Sequence, residues 1–408
     1  MKRFLKRFLA VTAVLLVLPM LVFGVFQLWE YSTGGDYVAY LEANAETVPL
    51  ESTFNYQRIA GDLDQAKLIL VGEIHGFDEP SAFDASFFKY LHAEHGVRHY
   101  FAEFDCLQAF LLNGYLETGD LETLNRVLNS WSVFQGRDNA DYQAKFIALQ
   151  QYYIGLPDSA RFSFVGIDRI QDNNLVFDVL AAMTPQPGSY DKERNTLSDL
   201  VEAMLDNGAT GDTLALALEL SRNIDYIVEK VDREEIFFQN FVHHYTALNT
   251  ETAKFYGFFG LSHVLQYQVN QQDQLAGKIR KSDLGLEGKI VSINFMMNDS
   301  YMVMPSNQLP SFLSDEGKYT RMPISADNPL LLYIVGIKDF KRMTPEFHKS
   351  LIKLNSEDSP YDGSSRMSTT IQLLPFGEKM NFNEKGKAYT QYTVFVRNSD
   401  WAEPVSSK

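Results

Sequence analysis

Short apolar runs that end in glycine or an acid recur along this chain, separated by longer stretches with apolar residues three or four positions apart. Lys67-Leu68-Ile69-Leu70-Val71-Gly72 is the clearest run. Having no polar position after its lysine, it reads as a strand buried on both faces. Pro80 to His95 carries Phe83, Phe87 and Leu91 at helical spacing and meets Gly96 where a helix stop belongs. Arg98 to Glu103 is the next apolar run, so strand, helix and strand follow with short connections, which predicts a parallel pair. Further strands are expected over Arg161 to Gly166, Lys254 to Gly260, Lys289 to Met296, Leu331 to Gly336 and Gln391 to Arg397. Helices are expected over Leu107 to Asn129, Asp141 to Tyr153 and Thr213 to about Leu248. The predicted class is therefore α/β, a largely parallel central sheet flanked by helices. Met183 to Leu248 is polar and helix-rich, a helical insertion or cap, and Ser356 to Met367 has the composition of a loop.

The N-terminus has a different pattern. Lys2, Arg3, Lys6 and Arg7 precede an uncharged stretch from Phe8 to Trp29, and at about 1.5 Å per residue such a helix crosses a bilayer of about 30 Å. Gly24-Val25-Phe26-Gln27-Leu28-Trp29 is a poor signal-cleavage site, so a retained anchor is expected. The basic residues before it leave the N-terminus in the cytoplasm and the bulk outside, periplasmic or extracellular. The expected organisation is an anchor and juxtamembrane segment over residues 1–35, then one α/β domain over 36–408 with the insertion at about 183–248.

Composition narrows the partners. With 36 Lys+Arg against 52 Asp+Glu the net charge is −16, and no basic run beyond the N-terminus compensates, so nucleic acid is an unsuitable partner. The single cysteine, Cys106, cannot form an internal disulfide and reads as a small buried apolar residue. No Gly-rich phosphate loop of the P-loop type occurs. A small-molecule or peptide substrate is left as the expected ligand.

Candidate chemistry gathers where apolar runs end. The first strand continues into Gly72-Glu73-Ile74-His75-Gly76, and Glu73 and His75, two apart on extended backbone, share a face. Glu103 and Asp105 follow the second strand, Gly166-Ile167-Asp168 the third, and Gly260-Leu261-Ser262-His263 the fourth. Ligands in open parallel sheets bind beyond the carboxyl ends of the strands, so these residues can line one crevice. Two imidazoles and a carboxylate (His75, His263 and Glu103) suit either a divalent metal ion or a metal-free arrangement in which histidine takes a proton from water. Arg233, Phe237, Asn240 and His244 lie along one face of a helix, where Arg233 can meet developing negative charge and Asn240 and His244, with Asp105 and Asp168, can bind substrate.

These motifs resemble the superfamily that joins the Tiki/TraB metalloprotease-like proteins, the erythromycin esterase-like hydrolases and the ChaN-like haem-uptake proteins. The features are Leu70-Val71-Gly72-Glu73-Ile74-His75-Gly76, Glu103, Gly260-Leu261-Ser262-His263 and an upstream arginine, over about residues 67–265. The resemblance implies Glu73, His75, Glu103 and His263 around the site, Arg233 as its positive member, and Asp168 beside them. The paired Gly-x-x-His motifs look like Tiki/TraB, and Arg233-Glu234 with Asn240 looks like the esterases. One residue separates Glu73 from His75 where the esterase pattern has two, and Phe77 to Asp84 lacks the further histidine of ChaN-like proteins. Expected from the whole is a hydrolase that attacks an ester or amide bond with water, with one divalent metal ion as a possible cofactor. The alternatives are a non-catalytic haem- or ligand-binding protein and a scaffold whose polar groups merely satisfy one another.

Overall fold

Leu68-Ile69-Leu70-Val71 finds apolar partners on both sides. Ile69 and Val71 enter one core, Leu68 and Leu70 the other. The computed structural model describes residues 17–18, 21–131, 139–184, 190–372, 380–384 and 389–404. In it these residues form β2 of a sheet made, in chain order, of β1 (Ala45–Pro49), β2 (Leu68–Glu73), β3 (His99–Ala102), β4 (Ser163–Gly166), β5 (Phe255–Gly260), β6 (Ile290–Asn298), β7 (His348–Lys353) and β8 (Tyr392–Arg397). The spatial order is β1-β7-β8-β6-β2-β5-β3-β4. From β8 to β4 every pair is parallel, while β7 runs antiparallel to both β1 and β8. The same alternation recurs in β3, where Tyr100 and Ala102 join one core and Phe101 the other. The expected parallel sheet with helices on its faces is thus present.

One face carries α1 (Glu79–His95), α2 (Cys106–Thr118) and α3 (Ala140–Ile154), which bring Phe83, Phe87, Leu107 and Phe146 into the first core. Farther along, α4 (Gly211–Val228) adds Leu216 and Leu220 to that core. The other face is covered by α5 (Arg233–Leu248) through Phe237, Phe241 and Tyr245.

Three expectations need correction. Leu107 to Asn129 is two helices, because Gly119 ends α2 and the Asp120 carboxylate caps a separate helix Leu121–Ser130 through the backbone of Glu122 and Thr123. Thr213 to Leu248 is likewise two. No glycine or proline marks the break, but Lys230 takes a positive φ of 56° and Asp232 caps α5, which places Arg233 at a helix start. Of Leu331 to Gly336, only Leu332–Ile334 is extended, and it joins a side sheet with Asp327–Asn328 and Thr370–Ile371, since β8 already occupies the place beside β6. Strands β1 and β7 were not anticipated. Both sit at the antiparallel edge, where Glu46, Thr47, His348, Lys349 and Ser350 dilute the apolar signal.

Among the described residues no helix is long and apolar enough to cross a membrane. The expected membrane segment, Phe8 to Trp29, includes residues 8–16 and 19–20, which lie outside the described residues. Just beyond it, the buried Glu30 carboxylate accepts hydrogen bonds from Tyr333 Oη and Gly336 N. Phe23 and Phe26 pack on the Tyr333 ring at 5.1 and 6.2 Å.

Candidate active site

The site begins where β2 ends. Glu73 is its last residue, and its buried carboxylate accepts a hydrogen bond from Tyr142 Oη on α3. His75 Nδ1 lies 2.9 Å from Glu73 Oε1. A carboxylate there favours the tautomer with the proton on Nδ1, which leaves Nε2 as the basic nitrogen of the ring. The His75 side chain is 30% exposed and that of Glu73 only 2%, which puts the imidazole at a solvent-accessible surface and its partner behind it.

Tyr142 is itself held from behind. Lys145, one helical turn on, sits over the Tyr142 ring at 4.0 Å and lies 2.9 Å from the fully buried Asp84. Asp84 also accepts from Tyr256 Oη at 2.6 Å and from Tyr100 Oη. A buried polar network therefore runs from α1 through α3 to the Glu73–His75 pair.

The ends of β3 and β4 supply two more acids. Glu103 Oε2 accepts from the Gly260 backbone N–H at 2.9 Å and Oε1 from Arg233 Nη2 at 2.7 Å. Arg233 also grips Asp168 bidentately, Nε at 3.0 Å and Nη2 at 2.6 Å. Burial opposes the guanidinium charge, but Asp168 and Glu103 outweigh it and hold the arginine protonated. Asp168 is further fixed by Gln171 Nε2 at 2.6 Å and the Arg169 N–H at 2.8 Å.

β5 closes the site. Its Gly260 pairs with Glu73 across the sheet. A methyl group added at Gly260 would lie 3.4 Å from Glu103 Oε2 and 3.5 Å from both His75 Nε2 and His263 Cδ2. Three of the four expected side chains thus meet over one glycine, and the fourth, Glu73, is bonded to His75. The turn Leu261–Val264 that carries His263 folds onto β2, with Val264 packed where a side chain on Gly72 would be, so the first Gly-x-x-His motif makes room for the second. His263 Nδ1 lies 2.6 Å from Glu234 Oε1, and its ring packs 4.8 Å from Phe237. Burial works against protonating His263, but Glu234 and Glu103 prevail over it and over the charge of Arg233, leaving its pKa above the ordinary 6.5.

Three expected substrate-binding residues are occupied elsewhere. Asp105 caps α2 through Gln108 N at 2.8 Å and accepts from Gln171 N at 2.9 Å. Burial pushes its pKa up to about 6. Asn240 ties α5 to the sheet by donating to Ile167 O at 3.1 Å and to Asn223 Oδ1 at 3.0 Å. His244 lies 3.5 Å from Glu219 and lines a different cavity with Cys106. The reason is helical rise. Arg233 starts α5 at the strand ends, and eleven residues at about 1.5 Å each carry His244 roughly 16 Å along the helix.

Both Glu103 oxygens are engaged, by Arg233 and Gly260. Among the described residues no group of three or more His, Cys, Asp or Glu side chains is arranged to hold a metal. The expected ligands His75, Glu103 and His263 are thus not gathered as a three-ligand metal group in this arrangement.

The protein is thus of the α/β class, a largely parallel sheet covered on both faces with an acid–imidazole cluster at its strand ends. The fold is shared with a Bacillus cereus protein (TM-score 0.65, 15% identity, covering 92% of this chain and 100% of that one). A succinoglycan biosynthesis protein matches equally (TM-score 0.65, 14% identity, 92% and 99% covered). A mutant of the erythromycin esterase EreC in its open conformation matches with TM-score 0.57 and 13% identity over 89% and 100% of the two chains. These matches fit the fold that the motif resemblance implies. No family model and no curated protein matches the sequence.

Proposed function

We propose that the protein is a hydrolase that splits an ester or amide bond with water, using Glu73, His75, Glu103, Arg233 and His263. The observation that carries this reading is the convergence of His75 Nε2, Glu103 and His263 over Gly260, with Glu73 fixing His75. His75 Nε2 takes a proton from water as the oxygen adds to the carbonyl carbon. His263, inclined toward its protonated form, meets the negative charge that develops on the carbonyl oxygen, while Arg233 holds Glu103 and Asp168 in place behind it. The tetrahedral species then collapses, and the leaving alkoxide or amine takes the proton back from His75. Two imidazoles thereby hold opposite roles, set by their environments.

This division is tested by pH. The charged groups facing His263 are Glu234, Glu103 and Arg233. Where His263 must be protonated, kcat/KM falls on the alkaline side with an apparent pKa above 6.5, and Glu234→Gln moves that limb to lower pH. By the same linkage, stability from protonated His263 is complete below pH 6.5 and is lost as pH rises through its folded pKa. An alkaline limb that stays put in the Glu234→Gln variant removes His263 from this role. Because the proposed steps use side chains alone, activity is expected to survive dialysis against EDTA unchanged. Loss restored by one divalent ion would return the metal reading.

The chain is further proposed to be anchored by residues 8–29 with the α/β domain outside the cytoplasm, in keeping with the four basic residues before that stretch and the exposure of Val22, Val25, Leu28 and Trp29. A second reading, a non-catalytic haem- or ligand-binding protein, is favoured by the apolar cavity that Ile74 lines beside His75. A shifted haemin absorbance band in a protein that turns over no ester would select it.

A further inference from the structure

A cavity of about 340 Å³ opens next to the acid–imidazole cluster and is walled mainly by apolar side chains. Ile74 and Leu261 are on its lining, and both belong to the motifs themselves. Ile74 sits between Glu73 and His75, and Leu261 follows Gly260. Met297, at the end of β6, and Ala326 are buried residues of the lining, to which Leu332 and Ile334 also belong. Among the described residues Arg366 is the charged one on the lining, and it is already paired with Asp339 and bonded to Glu30 O at 2.9 Å. Asn294 is also engaged, accepting from Thr390 at 2.7 Å. Among the described residues the lining therefore offers no unpaired charge to a polar ligand, and the volume lies within the roughly 300–1,000 Å³ of small-molecule sites.

The strand Leu332–Ile334 links this cavity to the N-terminal helix, whose described residues run over 21–32. Leu332 and Ile334 face the cavity, and Tyr333, on the opposite side of the strand, packs on Phe23 and Phe26. Leu332 is 39% exposed at the rim. On the N-terminal helix, Val25 and Leu28 stand open to the surroundings. An apolar entrance next to an exposed apolar helix suits a ligand with a hydrocarbon tail.

We infer that this cavity is the acyl-chain site of the same active centre, so that the substrate is a long-chain acyl ester or amide whose carbonyl lies at His75 and whose hydrocarbon enters past Ile74 and Leu261. The carbonyl end rests on the hydrolase reading; the apolar end does not. The tail could belong to a bilayer amphiphile or to a dissolved acyl compound, and the chemistry is shared.

The test uses the full chain in phosphatidylcholine nanodiscs and a series of p-nitrophenyl esters from acetyl to dodecanoyl. Each methylene that enters the cavity should raise kcat/KM by roughly threefold to fourfold until the space is filled. Ala326→Phe should cut the dodecanoyl-to-acetyl ratio at least tenfold. Because Ala326 is buried, Leu332→Glu at the rim provides a second variant with the same expected direction. A flat chain-length profile in an active enzyme overturns the acyl site and leaves the hydrolase reading standing. Independently of turnover, the His75→Ala variant should bind cis-parinaric acid saturably, and Ala326→Phe added to it should abolish that binding. If no ester is turned over yet this binding holds, the hydrolase reading fails and the acyl site stands. Absence of saturable binding removes the acyl site. Hydrolysis of a dodecanoyl glycerol embedded in vesicles assigns a bilayer source, and hydrolysis confined to the dissolved monomer assigns a soluble one.

Discussion

Replacing His75 by Ala is expected to lower kcat/KM about a thousandfold, within the range of about 10²–10⁴ that a positioned general base contributes. The fold should not suffer. The His75 side chain is 30% exposed and lies outside the hydrophobic cores, so its truncation removes little buried area. Thermal unfolding and far-UV circular dichroism should match the parent. Glu73→Gln keeps the shape of the partner but removes the charge that fixes the Nδ1 proton, so it should also impair catalysis, though less. Since the two residues act as one unit, the double variant should be no slower than His75→Ala alone. A double variant slower by the product of the two single effects would mean that Glu73 and His75 act independently. Full activity in the single His75 variant would remove the base altogether.

How much of this could be read from the sequence depended on how local the signal was. The strands β2, β3, β4 and β5 were legible because each is an apolar run stopped by a glycine or an acid. Once those strands are parallel, their C-terminal ends must gather, which is why Glu73, Glu103, Asp168 and His263 were found together. Tyr142 was not legible. It reaches Glu73 from a helix 69 positions away, and nothing beside it in the sequence marks it as a site residue. Gln171 was missed for the same reason, although it steadies Asp168 and donates to Glu103 O. Asn240 and His244 were misplaced by reading helix periodicity without its rise: they share a face with Arg233, but that face runs down the sheet rather than around the site. The break at Lys230 left only one sequence trace, the capping residue Asp232. Arg233 was expected as a cation available to substrate, whereas it is bound by two carboxylates. Its charge therefore balances Asp168 and Glu103 before it serves any ligand.

Lys145→Met should be the most destabilising single substitution near the site, lowering stability at pH 7 by about 3–5 kcal/mol, because removing one partner of a buried ion pair leaves the other uncompensated. Both ends are buried, the Lys145 side chain at 1% exposure and Asp84 at 0%. Methionine nearly preserves volume, so packing contributes little to the loss. Burial already pushes the Asp84 carboxyl above the usual carboxylate range, even against Lys145 and the tyrosine hydroxyls that lower it, and without the ammonium it should rise further. The sign of the pH dependence follows. Between the unfolded pKa of 3.8 and the raised folded value, the folded variant binds more protons than the unfolded chain, so its stability increases as pH falls through that window. Urea midpoints at pH 7 and pH 5 measure this, and the gap to the parent should narrow at the lower pH. Asp84→Asn combined with Lys145→Met should recover much of the loss, since the orphaned charge is then gone. The effect also reaches the chemistry, because Lys145 sits over the Tyr142 ring whose hydroxyl holds Glu73. A Lys145→Met protein as stable as the parent at pH 7 would mean that Asp84 is neutral in the folded state already, and that the Glu73–His75 pair is steadied by Tyr142 without help from an ion pair beneath it.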